Sequence, residues 1–366
     1  MPLSSFKPAD YDLLLEAKAK RLTQLLSDFD SPPLAVFRSP TEGFRMRAEF
    51  RFWHEGHDAW YAMFDPQNPK TPVRIDHFPI GSNAVNQLMK AVREAVFASH
   101  TLKERLFQVE FLTTLAGDHL VTLIYHRKLD DVWLDAAKQL EEKLNISIIG
   151  RSKKQKCVLS KDFVDETLNV DGKPLHYRQI EGGFTQPNAV ISQKMLSWAI
   201  ECCDEDQKRH DLLELYCGNG NFTVALAPSF RQVLATEISK TSVNAAHHNF
   251  RINGIDNSEV LRMSSEEFTQ ALNGEREFRR IKEKELNLND YEFSTVLVDP
   301  PRAGLDDDTV ALIQRFDRII YISCNPETLA QNLQSLSQTH TIERSAMFDQ
   351  FPYTSHIETG VFLQRK

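Results

Sequence analysis

The chain is short of several things, and each shortage excludes something. It has five cysteines, at 157, 202, 203, 217 and 324. They form no C-x-x-C pair and no disulfide framework, which argues against a stapled secreted scaffold and against a cysteine-held metal or iron–sulfur cluster. No run of 18 apolar residues occurs, so no membrane-spanning helix is expected. Met1–Lys7 lacks the charged-then-apolar order of a secretory signal. A cytoplasmic protein with reduced thiols is the expectation. No internal repeat is visible. A large positive excess is also missing: 43 Lys+Arg face 51 Asp+Glu, a net charge of −8. That argues against a strongly basic nucleic-acid coat.

What remains is an ordinary globular composition, 41% hydrophobic and 26% charged, in 366 residues. This length suggests two or three domains. The charge is uneven: residues 1–160 carry a net +2 and residues 161–366 a net −10. The front half is therefore the better suited to meet a polyanion.

Apolar periodicity predicts an amphipathic helix from Tyr11 to Phe29, closed by Ser31-Pro32-Pro33. From Phe44 the pattern switches to period two. Phe44, Met46, Ala48, Phe50 and Phe52 lie on one face, and Arg45, Arg47, Glu49 and Arg51 on the other, giving a strand with a cationic face. A second strand near Ala59–Phe64, a turn over residues 65–69, a hairpin at 106–115 and 119–126, and helices at 82–100 and 131–144 follow. A strand at 146–150 runs into a basic turn at 151–156. This half reads as α+β. Beyond residue 185, strands at 211–216, 232–236, 258–261, 294–298, 318–322 and 339–347 alternate with helices starting near Asn221, Ser239, Ser264, Asp306 and Pro326. A last strand covers 359–364. Such alternation predicts a doubly wound, mostly parallel sheet.

Several motifs fall at the strand-to-helix junctions, where ligands bind in such sheets. Leu212–Phe222 is a strand, a turn containing Gly218 and Gly220, and a helix start. A dinucleotide fingerprint would need a third glycine at 223, where Thr223 stands. Glu237 ends the next strand, and a carboxylate there suits the two hydroxyls of a ribose. Glycine turn and carboxylate together fit an adenosine-type cofactor such as S-adenosylmethionine; a plain βα turn with an exposed Glu fits the spacing equally. Asp299-Pro300-Pro301-Arg302 is a stiff loop after a further strand. Tyr321–Pro326 places Cys324 between a strand and a helix capped by Asn325. A thiolate there should be stabilised and its pKa lowered; a buried, inert cysteine is the alternative. Gln186, in Phe184–Asn188, is a turn former or a cofactor contact. Glu358, before the last strand, is a proton acceptor or a solvated carboxylate.

Taken together, Gly183–Asn188, Tyr216–Phe222, Asp299–Arg302, Ser323–Pro326 and Phe351–Glu358 resemble the RNA uracil-5-methyltransferases, and among them the branch that acts on tRNA. The likeness extends to Phe44–Phe52, Phe107–Leu115 and Tyr125–Asp131. It implies a Rossmann-like class I methyltransferase domain at residues 181–366, preceded by an α+β RNA-binding domain at 44–180 and an N-terminal helical segment at 1–43. It implies methyl transfer from S-adenosylmethionine to carbon 5 of uridine 54 in the T loop of tRNA, and of T-loop-like RNA such as tmRNA. Cys324 would be the nucleophile and Glu358 the base. Gln186, Tyr216, Asn221, Glu237 and Asp299 would hold the cofactor. Carbon 5 of uracil is a poor nucleophile until a thiolate adds at carbon 6, so one thiolate and one base are needed. The target base must leave its stack, and an aromatic such as Phe107 offsets part of that cost. Arg45, Arg47, Arg51 and His126 are the companions for phosphates and base edges. No protein partner is implied. A ribosomal-RNA methyltransferase is the alternative, although those enzymes carry an extra N-terminal barrel and four cluster cysteines. An RNA chaperone that remodels tRNA is a third reading.

Overall fold

The structure is a computed structural model that describes residues 6–65 and 68–366; Pro66 and Gln67 of the expected 65–69 turn lie outside it. The chain packs as two compact units. One holds the described residues of 6–9, 40–167 and 179–189. The other holds 10–39, 168–178 and 190–366.

In chain order, α1 (Tyr11–Leu26) and β1 (Ala35–Phe37) come first. Both belong to the second unit, where β1 pairs in parallel with a much later strand, Ala35 opposite Ala346. The segment 1–43 is thus not a separate helical piece. Its helix has a buried side, Tyr11, Leu15, Leu22 and Leu26, and such a stripe must be covered by a core.

The first unit is built on a seven-stranded sheet. Its strands are β2 (Arg47–Glu55), β3 (Asp58–Asp65), β4 (Asn68–Ile75), β5 (Leu106–Thr113), β6 (His119–Tyr125), β7 (Ser147–Ser152) and β8 (Gln155–Val158), in the order β4-β3-β2-β5-β6-β7-β8. Helices α2 (Asn83–Ala98), α3 (His100–Lys103) and α4 (Asp131–Leu144) accompany it. The alternation in β2 is realised: Phe44, Met46, Ala48, Phe50 and Phe52 are all buried. Phe50 anchors an aromatic cluster, 5.6 Å from Tyr61, 5.2 Å from Phe78 and 6.2 Å from Phe111. Ser82 and Asp130 cap α2 and α4 through their side-chain oxygens. The basic stretch 151–156 is the tip of a hairpin, with strand on both sides of Lys153-Lys154.

A two-stranded hairpin, β9 (Phe163–Val170) and β10 (Lys173–Ile180), follows. It turns through Asp171-Gly172, both at positive φ, as a two-residue turn of the primed type requires.

The second unit carries an eight-stranded sheet. Its strands are β1, β11 (Asp211–Leu215), β12 (Gln232–Thr236), β13 (Ser258–Leu261), β14 (Phe293–Val298), β15 (Arg318–Ser323), β16 (His340–Phe348) and β17 (Glu358–Arg365). Their order is β1-β16-β17-β15-β14-β11-β12-β13. All pairings are parallel except those of β17, which lies antiparallel between β15 and β16. Helices α5 (Ala189–Glu201), α6 (Asn221–Leu226), α7 (Lys240–Ile252), α8 (Ser265–Leu272), α9 (Arg279–Glu283), α10 (Asp307–Ile313) and α11 (Pro326–Leu336) connect the strands. Strands such as β15, buried from Ile319 to Ser323, show why the sequence here runs apolar without alternation. No helix among the described residues is long and apolar enough to cross a membrane.

Candidate active site

The carboxyl ends of β11, β12, β14 and β15 share one edge of the sheet. At the end of β11 the chain turns sharply. Tyr216 sits at φ 63°, in the left-handed region that a bulky residue avoids. Its hydroxyl is 2.8 Å from the Ser265 hydroxyl on α8. Gly218 and Gly220 follow at φ 57° and 78°. Gly220 has a second reason to be glycine: a Cβ there would lie 2.8 Å from Cε1 of Phe250. At Gly218 a Cβ would meet nothing within 4 Å, so open space lies in front of that backbone. The Gly218 amide donates to Oε2 of Glu237 at 3.1 Å, and the Ser239 amide donates to Oε1 at 2.7 Å. Glu237 is thereby fixed beside the glycine turn with lone pairs to spare. Asn221 opens α6, and its carbonyl accepts from Tyr177 at 3.0 Å. Ile238, directly after Glu237, is 67% exposed.

The second cluster is made by β15 and β17. Their register pairs Ser323 with Thr359, so the next step along the ladder sets Cys324 opposite Glu358. Asn325 caps α11 by accepting from the Glu327 amide, with Pro326 as the first helical residue. The Asn325 side chain also donates to the Arg302 carbonyl at 3.0 Å, tying this turn to the Asp299–Arg302 loop.

The electrostatics of this cluster correct one expectation. Cys324 stands at a helix N-terminus, yet its thiol is pushed up to about 11. Burial is the main cause, and the Glu358 and Asp299 carboxylates add to it; a backbone hydrogen bond and Arg302 pull the other way and lose. A helix end acts on the order of 1 kcal/mol, too little against desolvation beside two carboxylates. Asp299, partly buried, is pushed up to about 7 by desolvation. Glu358 is 4% exposed, and burial and Asp299 hold it well above the usual carboxylate range. Beneath them Glu214 is pushed up to about 8 by burial, and accepts from the Thr223 hydroxyl at 2.6 Å. Thr223, where a dinucleotide fingerprint would have glycine, thus serves a buried carboxylate. Cys217, in the glycine turn, is buried and its thiol is raised by burial.

The second unit therefore assembles Tyr216, Asn221, Glu237, Asp299, Cys324 and Glu358 along one sheet edge. Gln186 belongs to the first unit. Of the RNA candidates, three come together on the first unit's sheet. The Arg51 guanidinium lies 3.4 Å from the centre of the Phe107 ring, and His126 stacks on that ring at 3.8 Å between ring centres. Arg45 and Arg47 are engaged locally: Nε of Arg45 donates to the Arg47 carbonyl, and Arg47 donates to the Gly183 carbonyl at 2.7 Å. Phe184, 76% exposed and quoted above only as part of a motif, and Ile238 are not among the expected site residues. The available signal was a large apolar residue standing outside any periodic run.

A mostly parallel sheet with a glycine turn and an acidic residue at its carboxyl edge defines a Rossmann-like methyltransferase fold. The comparisons narrow it. The family model described as tRNA (Uracil-5-)-methyltransferase matches residues 10–366. A protein of Pseudomonas entomophila (strain L48), named tRNA/tmRNA (uracil-C(5))-methyltransferase, is 56% identical over 361 residues, 99% of each chain. One of Aliivibrio fischeri (strain MJ11) with the same name is 51% identical over 371 residues, all of each chain. The crystal structure of Pyrococcus abyssi tRNA (uracil-54, C5)-methyltransferase with S-adenosyl-L-homocysteine matches in fold, with TM-score 0.73 at 22% identity, covering 96% of this chain and 83% of that one. The chain belongs to the tRNA (uracil-5-)-methyltransferase family.

Proposed function

We propose that the protein transfers a methyl group from S-adenosylmethionine to carbon 5 of a uridine in tRNA, the T-loop uridine 54, through a covalent adduct with Cys324. The observation that carries this reading is the register of β15 and β17, which sets a thiol and a buried carboxyl side by side. The relatives named for tRNA and tmRNA support both RNAs as substrates.

The glycine turn fits the cofactor: open space in front of Gly218, a fixed carboxylate at Glu237 for the ribose hydroxyls, and an exposed apolar Ile238 for a flat base. When bound, S-adenosylmethionine supplies an electrophilic methyl group. Tyr216, Asn221, Glu237 and Asp299 are its candidate contacts in the second unit, with Gln186 from the first.

The chain's own residues account for the remaining chemistry. Cys324, half-buried, loses its proton to solvent water, against the Glu358 and Asp299 carboxylates that the thiolate charge faces, so that Glu358 stays free for carbon 5. The sulfur then bonds to carbon 6 of uracil, and the electron pair moved toward carbon 5 takes the methyl group. Ionised Glu358 removes the proton from carbon 5, the electron pair reforms the carbon 5–carbon 6 double bond, and the sulfur leaves. Burial makes Glu358 a stronger base, because it favours the neutral acid that the transfer creates. On the first unit, the Arg51–Phe107–His126 stack presents a ring and a cation suited to an unstacked base and its phosphate. Arg45, Arg47 and the exposed Phe184 extend that candidate surface.

The deciding experiment is mass spectrometry of nucleosides from unmodified tRNA treated with the protein and S-adenosylmethionine. 5-Methyluridine at position 54 is expected; its absence from tRNA would overturn the reading.

A further inference from the structure

The buried stripe of α1 is broken by a charge. Tyr11, Leu15, Lys18, Leu22 and Leu26 form it, and Lys18 is 6% exposed. A leucine or methionine would fill that position at lower desolvation cost, so the ammonium needs a reason. Its partners supply one. Nζ of Lys18 donates to Oδ1 of Asp349, itself 2% exposed, at 2.8 Å, and to the Phe351 carbonyl at 2.8 Å. These two residues begin the loop from β16 to β17, whose far end is Glu358.

Other contacts from α1 and from within the loop converge on it. Arg21, one turn further along α1, donates to the Ser355 carbonyl at 3.2 Å and pairs with Glu327 in the first turn of α11. Ser355 stands three residues before Glu358, and Glu327 three after Cys324. Tyr353 occupies the left-handed region at φ 62°, is buried, and meets the Tyr11 ring edge-on at 5.9 Å between centres. The Thr354 hydroxyl donates to the same Phe351 carbonyl that Lys18 holds. A strained, tightly bonded loop persists only where its surroundings over-determine it.

We propose that Lys18 is a positioning residue for the base: through Asp349 and the Phe351 carbonyl it fixes the 349–357 loop so that Glu358 meets the carbon 5 proton of the Cys324 adduct. Arg21 does the same more weakly from the solvent side. The inference rests on the reading of Glu358 as the base. It assigns to α1, far ahead in sequence, an effect on the release step and none on cofactor or RNA binding.

The test is a denaturing gel with labelled, unmodified tRNA and S-adenosylmethionine, beside steady-state kinetics, for wild type, Glu358→Gln, Lys18→Met, Lys18→Met/Asp349→Asn and Arg21→Ala. The double variant removes both charges together, so no ion is left buried alone, while the loop stays untethered. Expected is a fall in kcat of about 10- to 100-fold in the double variant, the scale for a misplaced reacting group, with KM for tRNA unchanged or lowered and never raised, because the step that slows follows adduct formation. Covalent protein–RNA adduct should accumulate there as it does in Glu358→Gln, and Arg21→Ala should show a smaller rise of the same kind. Adduct in Glu358→Gln but none in the double variant would overturn the positioning role and leave the base standing, as would unchanged kcat or a loss expressed only in KM. No adduct in Glu358→Gln would overturn the base itself.

Discussion

The ring-and-cation stack on the first unit and the sheet edge of the second hold their charges differently. On the first unit's sheet, Arg51 stacks over Phe107 and exposed His126 lies on the ring's other side. At the sheet edge of the second unit, Cys324, Asp299, Glu358 and Glu214 all carry raised proton affinity, caused chiefly by burial. Recognition of a polyanion needs cations in water, where they can exchange counterions for phosphates. Bond-making needs groups whose proton affinity has been moved, and burial moves it. The difference follows from where each set stands. One is spread over the antiparallel strands β2, β5 and β6 and the turn after them; the other is crowded where parallel strands end.

The sharpest way to break the comparison lies within the buried set. Cys324→Ser should abolish turnover, because a serine hydroxyl is far less nucleophilic at neutral pH. Cys217→Ser, in the glycine turn, should retain most of it. A methylation assay in which Cys217→Ser is the dead variant would move the nucleophile. Next in size is the pH dependence of the free thiol. Only the thiolate is alkylated, so with the group at about 11 its labelling should rise tenfold per pH unit throughout the neutral range. At pH 7 its thiolate fraction should be about 300-fold below that of an ordinary cysteine of pKa about 8.5. Mass spectrometry of iodoacetamide labelling at Cys324 reads this directly, and levelling below about pH 9 would mean that burial and the two carboxylates do not set the thiol. Glu237→Ala should weaken S-adenosylmethionine binding by about 1–3 kcal/mol, the scale of charge-assisted hydrogen bonds; calorimetry with unchanged affinity would remove Glu237 from the site. The smallest effect belongs to the stack on the first unit. Phe107→Ala should weaken tRNA use by on the order of 1 kcal/mol, the low end for a stacked base, since Arg51 and His126 remain. Cofactor affinity should not move. Unimpaired kinetics on tRNA would return Phe107 to a purely structural role.

Much of the second unit was legible because its strands are short apolar runs separated by capped helices. The expected helix starts at Ser239, Ser264 and Asp306 are caps with side-chain hydrogen bonds. The candidate residues beside Cys324 and Glu237 were legible as motif positions. Their protonation was not: the raised thiol depends on Glu358, which comes from a strand paired far along the sequence. The membership of α1 and β1 was illegible for the same reason, since β1 finds its partner some three hundred residues later. Lys18 shows the limit clearly. Periodicity counts apolar residues, so a lysine in the stripe reads as a gap until Asp349 is seen against it. The β9–β10 hairpin, by contrast, is announced by Asp171-Gly172, a signal the expectations omitted.

The antiparallel placement of β17 sets an order of events for the chain itself. The neighbours of β17 are β15 and β16, both earlier in sequence, so it enters the sheet by filling the gap between them. Until it does, Cys324 ends a strand whose neighbour on that side, with the Glu358 carboxyl, is missing. Closure of the sheet and completion of the Cys324–Glu358 pair are therefore one event. Commitment of the thiol to chemistry waits on the slowest kind of contact a chain can make, a pairing that must insert between strands already laid down.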